Sequence, residues 1–149
     1  MEYLKEKINS GADFVITQLF FDVDLYIKYI KDLDNIGLTC PVIPGIFPIV
    51  NYNNFKRIQK LCNIKVPEWI LVKLEKIKDD NEKVVDFGIQ VATEMCKKLY
   101  NIGIKSFHFY TLNKTYSIEQ IIQKLENHVN FLIKKIHYFE QIIQLKNKR

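Results

Sequence analysis

Gly11-Ala-Asp-Phe-Val-Ile-Thr-Gln-Leu-Phe-Phe-Asp22 is the stretch on which the fold turns. From Phe14 to Phe21 it is an apolar run rich in β-formers, interrupted only by Thr17 and Gln18. Such a run suits a strand buried on both faces, as in a parallel sheet. Asp22 or Asp24 then caps a helix, because a carboxylate there accepts the N–H groups that a first turn leaves unpaired. Leu25, Tyr29 and Leu33 recur at helical spacing, and Gly37 ends the helix. Upstream, Glu2 to Asn9 reads as the last turns of a helix closed by Ser10-Gly11.

Outward from this unit the pattern repeats. Pro41-Val-Ile-Pro-Gly-Ile-Phe-Pro48 is a second apolar run, and its prolines and Gly45 predict an irregular strand, since proline donates nothing to a ladder. Asn51 to Asn54 is turn-like, and a short helix is expected over Phe55 to Cys62. Pro67 is expected in the first turn of a further helix. A longer helix runs from Glu82 to Tyr100, with Gly103 after it. Ser106-Phe-His-Phe-Tyr-Thr-Leu-Asn113 is the third strand. Ser117-Ile-Glu-Gln120 fits a capping box for the last helix. From there Ile118, Ile122, Leu125, Val129, Leu132, Ile136, Phe139 and Ile143 form a heptad stripe. Alternating buried strands and helices predict an α/β fold with parallel strands. Three strands are few for such a sheet.

The 149 residues, 48% of them apolar, suit one folded domain and exclude a disordered chain. No stretch is apolar for long enough to predict a membrane-spanning helix, and the charged opening is unlike a secretory signal. The net charge of +5 is 22 basic minus 17 acidic residues, and most of the excess lies after residue 112. No arginine cluster or nucleic-acid motif accompanies it, and Ile, Lys and Asn are abundant throughout, so neither nucleic acid nor membrane is the expected partner. Cys40, Cys62 and Cys96 have no metal-type spacing, and an odd count does not suit a disulfide framework. A cytoplasmic, reducing location is expected.

The common catalytic signatures are absent from the string: no Gly-rich phosphate loop, no GxSxG, no HExxH, no CxxC. His108, between Phe107 and Phe109, is expected to be structural, and His128 and His137 lie in the tail. The informative residues are polar ones at strand C-termini, where parallel barrels and open parallel sheets place their ligands. Gln18 ends the first strand, and Tyr110, Thr111 and Asn113 close the third. A glutamine amide offers two donors and one acceptor carbonyl, which suits an amide-bearing heterocycle. Taken alone, this residue fits a structural role, tying two strands together, better than a ligand contact.

Three strings together resemble the methylenetetrahydrofolate reductase family: Gly11 to Asp22, Pro44-Gly-Ile-Phe-Pro48, and His108-Phe-Tyr-Thr-Leu-Asn113, in the family's order and with similar gaps. Val66-Pro67 and Lys78-Asp-Asp80 are similar too, and the likeness runs from about residue 2 to residue 125. The resemblance implies a TIM-type (β/α)8 barrel, of which this chain holds the last three β/α units (1–125), followed by a basic helical tail (126–149). It implies FAD as cofactor, NAD(P)H as reductant and methylenetetrahydrofolate as substrate. FAD carries the hydride chemistry while the protein places the reactants.

By resemblance, Gln18 contacts folate and, in its turn, nicotinamide, and Ile16 lies near the flavin. Tyr110 and Leu112 line the substrate side. Lys114 stands where bacterial relatives carry an arginine; lysine keeps the charge and loses the planar fork. Asn54 falls where those relatives have a longer glutamine. Ile58 replaces a stacking phenylalanine, keeping apolar packing without a π-face. Lys60 and Leu61 match pocket-side positions of eukaryotic relatives. The family's glutamate acid, its flavin-tuning aspartate and most of its FAD-gripping residues have no counterpart here. The chain is therefore expected to be inactive alone and to need the other barrel half. A second reading is a non-catalytic barrel remnant that forms homo-oligomers through its C-terminal helix.

Overall fold

A computed structural model describes residues 2–38, 40–111 and 115–126. Helix α1, Glu2–Asn9, leads into strand β1, Val15–Leu19. Helix α2, Val23–Asn35, follows, then strand β2, Val42–Ile46. Three helices come next: α3, Tyr52–Leu61; α4, Glu68–Ile77; and α5, Asn81–Asn101. Strand β3, His108–Phe109, and helix α6, Tyr116–Glu126, complete the described chain. The strands form one sheet in the order β1-β2-β3, and both pairings are parallel. The α/β class and the parallel sheet thus agree with the sequence reading. The tail stripe after Glu126, with the tail boundary drawn there, lies outside the described residues.

The helix starts follow from side chains that accept orphan N–H groups. The Asp22 carboxylate accepts from the N–H of Asp24 at 3.0 Å and of Leu25 at 3.4 Å. Asn51 accepts from Asn54 N–H at 3.0 Å, and Asp80 from Lys83 N–H at 3.2 Å. Gly37 takes φ 75°, a left-handed value glycine adopts at little cost.

Four local expectations are corrected. The buried side of α2 runs through Val23, Tyr26 and Leu33, while Leu25 is 44% exposed. Stepping three residues from Val23 puts Tyr26 inside, where its hydroxyl donates to the Val42 carbonyl at 2.9 Å. Pro67 precedes α4 as its cap and does not enter the first turn. The last helix starts one residue before Ser117: the Thr115 carbonyl accepts from the N–H groups of Ile118 and Glu119, and Ser117 is buried within the helix. Among the described residues of Ser106–Asn113 the strand is His108–Phe109, the two residues that pair with Gly45 and Ile46 of β2.

The core lies between the sheet and its helices, centred on α5. Val84, Cys96 and Leu99 of α5 are fully buried with Ile46 of β2, Ile70 and Leu74 of α4, and Ile121 of α6. The opposite face of the sheet carries Ile16, Ile43 and His108, none of them fully buried. That face and the strand C-termini beside it hold the candidate site.

Candidate functional site

Gln18 is the centre of the site. It is exposed near the C-terminal end of β1, and its Nε2 donates to the Cys62 carbonyl at 3.3 Å. Cys62 caps the C-terminus of α3, where unpaired carbonyls carry the negative end of the helix dipole, so an amide N–H is a natural partner. The structural role open to Gln18 therefore takes another form: it ties β1 to a helix end, not to another strand. The residue is exposed, and beyond this bond its amide offers a second N–H donor and the Oε1 acceptor.

Tyr110 approaches from the other side. Its N–H donates to the Ile46 carbonyl at 2.9 Å, which extends the β2–β3 pairing by one residue. Its ring crosses β2 at Gly45, and its hydroxyl donates to the Thr17 carbonyl at 3.0 Å. Burial pushes the phenol above its ordinary pKa, which keeps it a donor. His108 stands edge-on to this ring with centroids 4.7 Å apart. Desolvation pulls its imidazole below the ordinary value, so it is neutral at pH 7.

Helix α3 supplies a third side. Phe55 anchors it, 2% exposed and edge-on to Phe21 at 5.4 Å. At its N-terminal end Tyr52 Oη donates to Glu75 Oε2 of α4 at 2.5 Å, and Asn51 Nδ2 donates to Asn81 Oδ1 at 3.1 Å. Ile58 is half-buried against the core, Lys60 is exposed, and Leu61 is 81% exposed. Leu61 thus presents an open aliphatic side chain one residue before the Cys62 carbonyl that Gln18 meets.

The structure thus ties the end of β1 to Tyr110 through the Thr17 carbonyl and to the end of α3 through the Cys62 carbonyl; Lys60 and Leu61 precede Cys62 in that last turn, and Ile58 packs on the core. Ile16 pairs with Ile43 on the open sheet face, two residues before Gln18. Asn54 stands at the other end of α3. It lies in the first turn of α3, about 12 Å along the axis from Cys62 at 1.5 Å per residue, and its side chain accepts from Arg57 Nη2 at 3.1 Å. Leu112 and Lys114 lie outside the described residues. Sequence reasoning missed Thr17 and Gly45. A glycine within a strand marks a close approach, and here a β-carbon on Gly45 would stand 2.7 Å from Tyr110 Cε2. Among the described residues no group of acidic, histidine and cysteine side chains is placed to hold a metal. No described helix is long and apolar enough to cross a membrane.

Residues 1–126 match the family model described as methylenetetrahydrofolate reductase. A rice protein (Oryza sativa subsp. japonica) named "Probable methylenetetrahydrofolate reductase (NADH)" is 48% identical over 125 residues, which are 84% of this chain and 21% of that protein. The 5,10-methylenetetrahydrofolate reductase of Buchnera aphidicola subsp. Acyrthosiphon pisum is 38% identical over 124 residues, 80% of this chain and 42% of that protein. The chain thus spans about a fifth of the length of the plant relative, the 21% just given. Among solved structures, an uncharacterised Clostridium thermocellum protein that binds two copies of 5-methyl-5,6,7,8-tetrahydrofolic acid superposes with a TM-score of 0.59. It is 18% identical, and the match covers 84% of this chain and 46% of that one.

Proposed function

This chain belongs to the methylenetetrahydrofolate reductase family, and on that premise we propose that it forms the folate- and nicotinamide-facing wall of a flavin-dependent reductase site. The reaction is the reduction of 5,10-methylenetetrahydrofolate to 5-methyltetrahydrofolate with NAD(P)H. The observation that carries the reading is the exposed Gln18 amide, held between the end of α3 and the Tyr110 bridge. A pterin edge and a nicotinamide carboxamide both pair an N–H donor with a neighbouring acceptor. One glutamine amide complements either, which is how a single residue serves two ligands in turn.

The strand arrangement supports a barrel. Parallel strands in sequential order, with helical connections between them, are how a (β/α)8 barrel is wound, whereas doubly wound sheets reverse their order at a switch point. The open edges of β1 and β3 are then continued by strands from the remaining family length. Ile16 and Ile43 fit a flavin ring, since their paired side chains make an aliphatic surface beside Gln18. No Gly-rich phosphate loop stands in this sequence, so the grip on the FAD pyrophosphate is assigned to other parts of the family's length. When bound, FAD supplies hydride acceptance and donation. The chain's own residues orient and shield. Gln18 fixes the ligand's hydrogen-bonding edge. Leu61 covers an apolar side and excludes water. Tyr110 stays protonated and holds the β1 backbone beneath the amide.

The test is reconstitution. The chain is mixed with FAD and with a second chain carrying the other barrel strands of the rice relative, and NAD(P)H oxidation is followed with methylenetetrahydrofolate. Activity is expected from the mixture only, falling at least about tenfold with Gln18→Ala, the equivalent of ~1.4 kcal/mol of transition-state binding. A mixture that binds FAD and folds yet responds to neither methylenetetrahydrofolate nor the substitution refutes the reading.

A further inference from the structure

The β1–β2 pairing is interrupted beside Gln18. Val15 pairs with Val42 and Ile16 with Ile43, but the next partners are Leu19 and Gly45, with a register shift between. Across that shift a side chain does the work of the ladder. Thr17 Oγ1 accepts the Gly45 N–H at 3.0 Å and donates to the Gln18 carbonyl at 2.9 Å. The Thr17 carbonyl accepts the Tyr110 hydroxyl at 3.0 Å. Both peptide carbonyls flanking Gln18 are therefore held by side-chain hydroxyls.

Gly45 makes this geometry available. A β-carbon there would lie 2.5 Å from the Thr17 carbonyl oxygen and 2.7 Å from Tyr110 Cε2, so any larger residue expels the ring or the strand. Strand irregularities of this sort re-aim a side chain next to a site. We infer that Thr17 is a positioning residue for Gln18: with Gly45 and Tyr110 it forms a cross-strand latch that sets the direction in which the amide meets its ligand. The folate part of this inference rests on the function proposed above; the latch itself does not.

The latch explains why an exposed glutamine can discriminate. An amide on freely rotating peptide planes presents donor and acceptor in many directions, and each bond it forms is offset by the ordering it needs. Held on both flanks, the Gln18 backbone is ordered before the ligand arrives.

The test uses the full chain in two steps. Thr17→Val keeps the β-branched shape and removes the hydroxyl, while Thr17→Ser keeps the hydroxyl. Amide exchange and side-chain amide resonances are first measured without ligand. In Thr17→Val the Gly45 amide is expected to exchange at least about fivefold faster, the equivalent of one neutral hydrogen bond, and the Gln18 side-chain signals to broaden or average. Thr17→Ser restores both. Titration with 5-methyltetrahydrofolate then gives about fivefold weaker binding for Thr17→Val and full recovery for Thr17→Ser. If Thr17→Val does not fold, Tyr110→Phe replaces it, and the same Gln18 signals are expected to broaden.

A folded variant whose Gly45 exchange, Gln18 signals and folate affinity match the wild type overturns the inference. Weakened affinity that Thr17→Ser fails to restore overturns it too, since a generally loosened strand explains that result. Absence of folate binding by the wild type counts against the proposed function. The latch is then upheld or refuted by the ligand-free spectra alone.

Discussion

Gly88→Ala sets two effects of opposite sign against each other. Gly88 is buried within α5. Alanine is the better helix former by about 0.8–1 kcal/mol, so propensity alone predicts a gain. Tertiary contact predicts a larger loss. A β-carbon on Gly88 would stand 1.9 Å from the Ile49 carbonyl oxygen, 2.7 Å from its carbonyl carbon and 2.9 Å from its nitrogen. All three are backbone atoms of a fully buried residue, so no rotamer change relieves the contact. Reaching an ordinary separation of about 3.4 Å asks α5 and the segment after β2 to part by about 1.5 Å, and a gap of 0.5–1 Å already forfeits a quarter to a half of each dispersion contact. Because α5 carries Val84, Cys96 and Leu99 into the core, we put the loss at ~3–4 kcal/mol. Set against the helix gain, the net destabilisation is ~2–3 kcal/mol, a fall in Tm of roughly 5–10 °C for a chain of this size. Thermal and urea unfolding followed by circular dichroism reads the difference directly. Ile49 leads into the Asn51 cap of α3, so loosening of the α3 contact to Gln18 should accompany it. A variant as stable as the wild type, or stabilised by about 1 kcal/mol as propensity predicts, refutes the close-packing argument.

Tyr26 predicts an alkaline limit to stability. Burial first, and then the neighbouring Tyr29, push its phenol from the ordinary 10.0 to about 12. The folded chain thus holds this proton more tightly than the unfolded one. The contribution is complete below pH 10 and is lost as pH rises through about 12, where the phenolate can no longer donate to Val42. Denaturant melts across that range should fall with pH in the wild type and less steeply in Tyr26→Phe; equal slopes would contradict this. The cysteines should divide by burial. Cys96 is fully buried and its thiol is pushed far up, whereas Cys40 and Cys62 are half-buried. Native iodoacetamide treatment should label Cys40 and Cys62, with Cys96 reacting only after denaturant; early labelling of Cys96 on peptide mapping would count against the packing of α5.

The strands were legible because buried parallel strands announce themselves as apolar runs. Val15–Leu19 and Val42–Ile46 both fall inside the stretches expected. The helix start at Asp22 was legible for a comparable reason, since capping is local chemistry read within four residues; the start at Asn51 was not, because Asn51 to Asn54 reads as a turn and α3 already begins at Tyr52. What escaped depends on distant partners. Gly45 reads in sequence as a strand irregularity; only Tyr110 and Thr17 crossing at that point make it a notch. Thr17 reads as a polar interruption of an apolar run, and two of its three hydrogen bonds need Gly45 and Tyr110 in place. The start of the last helix was misplaced because Thr115 and Ser117 are both capable caps, and burial of Ser117 against the core decides between them.

The most direct measurement is titration of the isotope-labelled chain with 5-methyltetrahydrofolate, followed residue by residue by NMR. Binding with a dissociation constant of about 1 mM, near −4 kcal/mol, is the affinity expected of one wall of a site. The shifts should centre on Gln18, Leu61 and Tyr110 and leave Trp69 and Val72, exposed on α4, unmoved. Saturable shifts that instead centre on α4, or no shift at Gln18 at ligand concentrations several times that constant, would contradict the account.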